Sequence, residues 1–153
     1  ADDKVVGYAV EAPSITRGGY GDRIYLMVGF VEEGDNTLIS GVKVISQKET
    51  PGLGANMTNK GNSLELSVVG KNPSELKFAV KKDGGSFDAL TGSTISSRAY
   101  ANAIETAYAG YLWAKGELPS ANDAASGATQ PAEQQTQNNE TEPEAQKGEV
   151  SNE

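Results

Sequence analysis

No Leu, Ile or aromatic residue follows Leu118, and from Ser120 to Glu153 the chain is mostly Ala, Glu, Gln, Asn, Ser and Thr, with Val150 as its single branched aliphatic. A segment of that kind cannot bury enough apolar surface to offset its ordering entropy, so disorder is expected there. It carries Asp123 and six Glu against Lys147, so six of the chain's eight net negative charges lie in it. Any fold must therefore be made by residues 1–119, enough for a real hydrophobic core. That part is nearly neutral and has no basic patch to suggest nucleic acid. The expected organisation is one domain over 1–119 and an acidic, low-complexity tail over 120–153.

The folded part has little catalytic equipment. The chain has no Cys and no His, which removes disulfides, thiolate metal sites, a cysteine nucleophile, the commonest general base and the usual zinc ligand. No nucleophile–base pair and no dinucleotide fingerprint marks a substrate site. No apolar run approaches the length that crosses a bilayer, and Ala1-Asp2-Asp3-Lys4 does not look like a signal peptide. Chemistry has to come from carboxylates, hydroxyls, backbone groups or an organic cofactor.

Strand patterns dominate the first two thirds. Val5 to Val10 and the nearly continuous apolar stretch Arg23 to Val31 read as strands, the second central. "EEGDN" is a turn, and Thr37 to Ser46 is the return strand of a hairpin. Ser63 to Val69 and Glu75 to Lys82 are two further strand candidates, before Asp83 to Gly85 breaks the chain. The period then changes. Ile95, Ala99, Ala103, Ala107, Tyr111 and Ala114, widened by Ile104, Tyr108 and Leu112, predict an amphipathic helix over Thr94 to Lys115. Gly116 and Pro119 stop it. The mostly small apolar face implies close packing on a sheet. Strands followed by one long late helix indicate an α+β fold: a small, mostly antiparallel sheet with the helix packed on it.

At the mouth of this helix lies "DALTGSTISSRAY", Asp88 to Tyr100, with hydroxyls at Thr91, Ser93, Thr94, Ser96 and Ser97. Thr91 or Ser93 could cap the helix, and Gly92 permits a backbone geometry closed to other residues. The helix N-terminus offers unpaired N–H groups and a positive dipole end, a natural place for a phosphate. An ordinary cap accounts for one or two of the hydroxyls but not for the cluster.

The spacing of Asp88, two residues, then Thr91-Gly92-Ser93-Thr94 resembles the flavinylation signature Asp-x-x-[Ser/Thr]-Gly-Ala-Thr, with Ser93 where the signature prefers Ala. "GGYGDRIYLMVGF", "GVKVISQKETPGLG" and "FAVKKDGGSFDALTGSTISSRAYANAI" resemble, in order, the landmarks of the FMN-binding domain in the G subunit of the Rnf electron-transport complex. The C subunit of the sodium-pumping NADH:quinone reductase is related to it. The likeness runs from about Gly18 to Ala107. Gln47 stands where many relatives have His, and the spacing from Gly54 to Asp88 is short, around Asn56 to Asn62.

The resemblance implies FMN carried covalently on Thr94 by a phosphoester, installed by a flavin transferase that reads Asp88. Thr91, Gly92 and Ser93 would shape the receiving backbone. "ETPGLG" alone reads as a tight turn with Pro51 and Gly52 at its centre, and a plain loop accounts for it. In the family it borders the flavin ring, which makes Glu49, Thr50, Leu53 and Gly54 candidate contacts. Tyr20 in "GGYG" reads as a surface turn residue, Lys81 and Lys82 as solvated charges, and Tyr108, Tyr111 and Trp113 as core and rim packing.

The function so implied is electron transfer without an independent substrate site. The setting would be a membrane-bound complex that couples ferredoxin oxidation and NAD reduction to ion transport, with the other Rnf subunits as partners. A single membrane helix would precede Ala1, and this domain would lie on the extracytoplasmic, periplasmic side. Two other classes fit the residues: a flavin-binding regulatory or sensor domain of a membrane protein, and a non-redox envelope binding module.

Overall fold

A computed structural model of the chain describes residues 4–14 and 22–117. The expectations for the tail, for Pro119 and for Tyr20 lie outside the described residues. Three strands form an antiparallel meander in the order β1 (Gly7–Pro13), β2 (Tyr25–Glu33) and β3 (Asn36–Ser46). β2 is central, as its continuous apolar sequence predicts, and Glu33 pairs with Asn36 across a tight turn at Gly34 and Asp35. β1 begins at Gly7, leaving Val5 and Val6 exposed before it. Ser14 closes the open end of β1 and β2, its N–H donating to Ile24 O at 2.7 Å and its Oγ accepting from Ile24 N at 3.0 Å.

Alternation along β2 sends Leu26, Val28 and Phe30 into the core, where they are fully buried. On β3 the inward residues are Ile39, Val42 and Val44, opposite Phe30, Val28 and Leu26. The odd step from Ile39 to Val42 is possible because β3 carries one more residue than β2 between these pairs, a bulge.

Helix α2 (Thr94–Ala114) lies across β1 and β2. Ala99, Ala103, Ala107 and Ile104 are fully buried beneath it, and the small residues let its backbone approach the sheet. The far end is anchored by aromatics: Tyr111 stacks on Phe30 at 4.7 Å between centroids and meets Tyr8 edge-on at 5.3 Å. The helical stripe fails at its ends. Ile95 and Ala114 are exposed and Trp113 lies on the outside.

Neither later strand candidate forms a strand. Ser63–Leu66 is a short helix, α1, capped by Asn62, whose side chain accepts from Leu64 N and Glu65 N. Leu64 and Val68 are buried at helical spacing while Leu66 is exposed. In Glu75 to Lys82 the alternation of Leu76, Phe78 and Val80 does mark inward side chains. Their backbone partners, however, lie in the same loop: Ser86 N donates to Lys77 O and Phe87 N to Ala79 O, with only an isolated bridge between Val80 and Phe87. Lys81 and Lys82 accordingly sit in a short 3-10 turn, Lys81–Asp83, and are exposed.

Candidate functional site

Where β3 ends, Gln47 turns the chain by accepting the Glu49 N–H on Oε1 at 2.6 Å. The Gln47 side chain thus has a local backbone role. Thr50-Pro51-Gly52-Leu53 is the expected turn, closed by Leu53 N donating to Thr50 O at 3.1 Å, with Gly52 at φ 76°. Gly54 follows at the start of a 3-10 turn, Gly54–Thr58, and is buried. A Cβ on Gly54 would collide with Ser96 Oγ and come within 2.8 Å of Glu49 Cβ, so the backbone there approaches α2 as closely as it can.

The facing wall is the start of α2. Leu90 to Ser93 forms a turn closed by Ser93 N donating to Leu90 O at 3.1 Å, with Gly92 at φ 69°. Ser97 braces this turn from inside the helix: its buried Oγ accepts from Leu90 N at 3.0 Å and donates to Ser93 O at 2.8 Å. The two walls are tied by Ser96, whose Oγ donates to Glu49 Oε2 in a short buried hydrogen bond.

Between the walls opens a cavity of about 410 Å³ lined by Glu49, Thr50, Leu53, Gly54, Gly92, Ser93, Thr94, Ile95 and Ser96. Of the nine residues the resemblance put forward as cofactor-site candidates, seven line this one space. Asp88 and Thr91 do not. Asp88 is exposed, with its carboxylate 2.7 Å from Lys81 Nζ and its N–H donating to the buried Ser67 Oγ at 2.8 Å. Thr91 is exposed in the turn. Two lining residues are additions, Ile95 and Ser96. Helical periodicity assigned Ile95 to the core, and nothing local identifies Ser96 as the partner of a carboxylate so distant in sequence.

Neither Thr91 nor Ser93 caps α2 with its side chain. Ser93 occupies the cap position at φ −136°, ψ 47°, outside the extended geometry that capping requires, and makes no capping bond. Its Oγ is buried with no hydrogen-bond partner among the described residues. Ser93 lines the cavity beside Thr94, the first residue of α2, whose first-turn N–H groups have no intrahelical acceptor.

Residues 19–109 match the family described as FMN-binding domain. The chain belongs to the FMN-binding domain family. This FMN-binding domain is 40% identical over 107 residues to the G subunit of the ion-translocating oxidoreductase complex of Erwinia tasmaniensis, a match covering 68% of this chain and 49% of the relative. It is 38% identical to the protein of the same name in Shewanella baltica, covering 68% and 48%. With that of Pseudoalteromonas atlantica it shares 46% identity over 95 residues, covering 57% and 40%. The chain spans about half the length of the curated relatives it matches. Among its described residues no helix is long and apolar enough to cross a membrane, and no group of three or more His, Cys, Asp or Glu could hold a metal ion.

The cavity suits a flavin nucleotide chemically. It pairs apolar side chains at its rim, Leu53 and Ile95, with a helix N-terminus and an unpartnered buried hydroxyl.

Proposed function

We propose that this domain carries FMN as a phosphoester on Thr94 and serves as an electron-transfer subunit of a membrane-bound, ion-translocating ferredoxin:NAD oxidoreductase of the Rnf type. The observation that carries the reading is the meeting of Glu49, Thr50, Leu53 and Gly54 with Gly92, Ser93 and Thr94 around one cavity. When bound, the flavin supplies one- and two-electron chemistry. The protein's part is retention and orientation. Thr94 is the first residue of α2 and half-buried at the cavity wall, so a phosphoryl group on its Oγ1 meets the positive end of the helix. Leu53 and Ile95 supply apolar surface for the ring, and Gly54 keeps the loop backbone close enough to border it.

Attachment requires Thr94 Oγ1 to attack the riboflavin-side phosphorus of FAD, break the pyrophosphate bond and release AMP. A dedicated transferase would hold the FAD and accept the hydroxyl proton, with exposed Asp88 available for it to read. A tether through the phosphate leaves the ring's substituents untouched. It also replaces reversible binding with a permanent local concentration, which matters most on the extracytoplasmic side of the membrane, where free FMN is scarce. The relatives' names support partnership with the other subunits of such a complex, and a membrane helix N-terminal to this domain would hold it there.

The test is the intact mass of the domain co-expressed with a flavin transferase in the compartment where that enzyme works, beside Thr94→Val. The expected result is a gain equal to an FMN ester, absent from the variant. An unmodified wild type, with the transferase shown active on another substrate, would overturn the reading.

A further inference from the structure

Among the described residues Glu49 is the only charged one that is buried, at 7% exposed. Its Oε2 accepts the Ser96 hydroxyl and lies 2.9 Å from the position a Cβ on Gly54 would take. Glu49, Gly54 and Ser96 all line the cavity, so the carboxylate sits where the two walls meet. Among the described residues no Lys, no Arg and no second acid lines that space, either from the loop or from α2. Lys48, next in sequence, is exposed and paired with Asp22 at 3.1 Å. A clamp between the walls does not need this charge. Gln has nearly the same shape, would accept the Ser96 hydroxyl on its carbonyl oxygen, and would avoid the cost of burying an ion. A carboxylate differs from it in being able to take up a proton.

We propose that Glu49 couples a proton to the redox state of the cavity's occupant, taking one up from water when FMN gains an electron and returning it when the electron leaves. The inference rests on the flavin reading. An electron added in the cavity is a second negative charge near the carboxylate, in surroundings that screen charge poorly. The two repel without having to touch, and a proton on Glu49 removes one of them. In the forward step a reduced iron–sulfur centre of the complex is oxidised, FMN is reduced by one electron, and one proton passes from water to the Glu49 carboxylate. Reoxidation by the next one-electron carrier reverses both transfers. Ser96 serves either state: its hydroxyl donates to the carboxylate and, once rotated, accepts from the protonated acid. The link between the walls therefore survives the proton's arrival.

The experiment uses the full chain co-expressed with a flavin transferase, as wild type, Glu49→Gln and Ser96→Ala. Infrared difference spectra are taken between the oxidised and reduced flavoprotein, and the flavin's potential is measured against pH. In wild type, reduction is expected to bring up the carbonyl band of a protonated carboxylic acid, shifted in heavy water. Glu49→Gln should lack that band. Ser96→Ala, which keeps the acid and removes its hydroxyl partner, should retain the band at a displaced position. The wild-type potential should fall with rising pH more steeply than that of Glu49→Gln, by up to ~59 mV for each tenfold drop in proton concentration. A flavinylated wild type reduced without the band would overturn the proposal and leave the flavin reading standing. A band that ignores both substitutions would belong to another acid and overturn it equally, and so would a steeper slope without the band, which is charge repulsion alone. A wild type that takes up no FMN would overturn both readings.

Discussion

Gly54 is held between Ser96 and Glu49 with no room for a methyl group. Gly54→Ala must push the loop away from α2 or break the Ser96–Glu49 hydrogen bond. A loss of about 1–3 kcal/mol is expected, read as a lower urea midpoint at unchanged slope, together with weaker FMN retention. Ser97 differs, because its hydroxyl both accepts and donates. Ser97→Ala strands the Leu90 N–H and should cost about 1–3 kcal/mol in the same assay. At this scale much of the cavity lining was legible in sequence, since Thr94, Ser93, Gly92 and the loop from Glu49 to Gly54 carry recognisable spacing. Ile95 and Ser96 were not. One sits at a core period yet is exposed at the cavity, and the other depends on a contact between segments that only folding brings together.

Among the elements, α2 and the three-stranded sheet were readable because each pattern extends for several turns or pairs. The segments 63–69 and 75–82 were not, for different reasons. In the first, Leu64, Leu66, Val68 and Val69 suit either period, and the cap by Asn62 decides for a helix. In the second the alternation is real, but its hydrogen-bond partners lie a few residues on and close a loop instead of extending the sheet. Helix α2 depends on small side chains for its approach to β1 and β2. Ala103→Leu adds volume where Ala103 has none to spare, so a loss of about 1–3 kcal/mol is expected, seen as a lower melting temperature with helix content retained before the transition.

For the whole molecule, two carboxylates that join distant segments make stability depend on pH in acid. Glu32, at the end of β2, bonds Lys115 beyond α2 at 2.6 Å and the Tyr111 hydroxyl at 2.9 Å; these partners, Lys115 foremost, hold its carboxyl below the usual 4.5. Asp83 pairs with Arg98, which lowers it from 3.8. Both contribute stability that is present above those usual values and lost as pH falls through the depressed ones. The urea midpoint should therefore decline below about pH 4.5, and less in Glu32→Gln. High salt should blunt the difference, since both pairs are partly solvated. Lys115 is raised by Glu32 first and Glu117 second, so its contribution holds below the usual 10.5 and fails only in stronger alkali.

The brace under the signature bears on how an enzyme would recognise it. Asp88 is fixed at its amide by Ser67 and at its carboxylate by Lys81, and neither partner lies within Asp88–Tyr100. A transferase meeting the folded domain would grip a shape that is already set, with little chain entropy left to lose on docking. The same letters in a synthetic peptide of Asp88–Tyr100 would have to be ordered by the enzyme. Peptide and domain compared under one transferase should differ chiefly in KM, with the folded domain the better substrate.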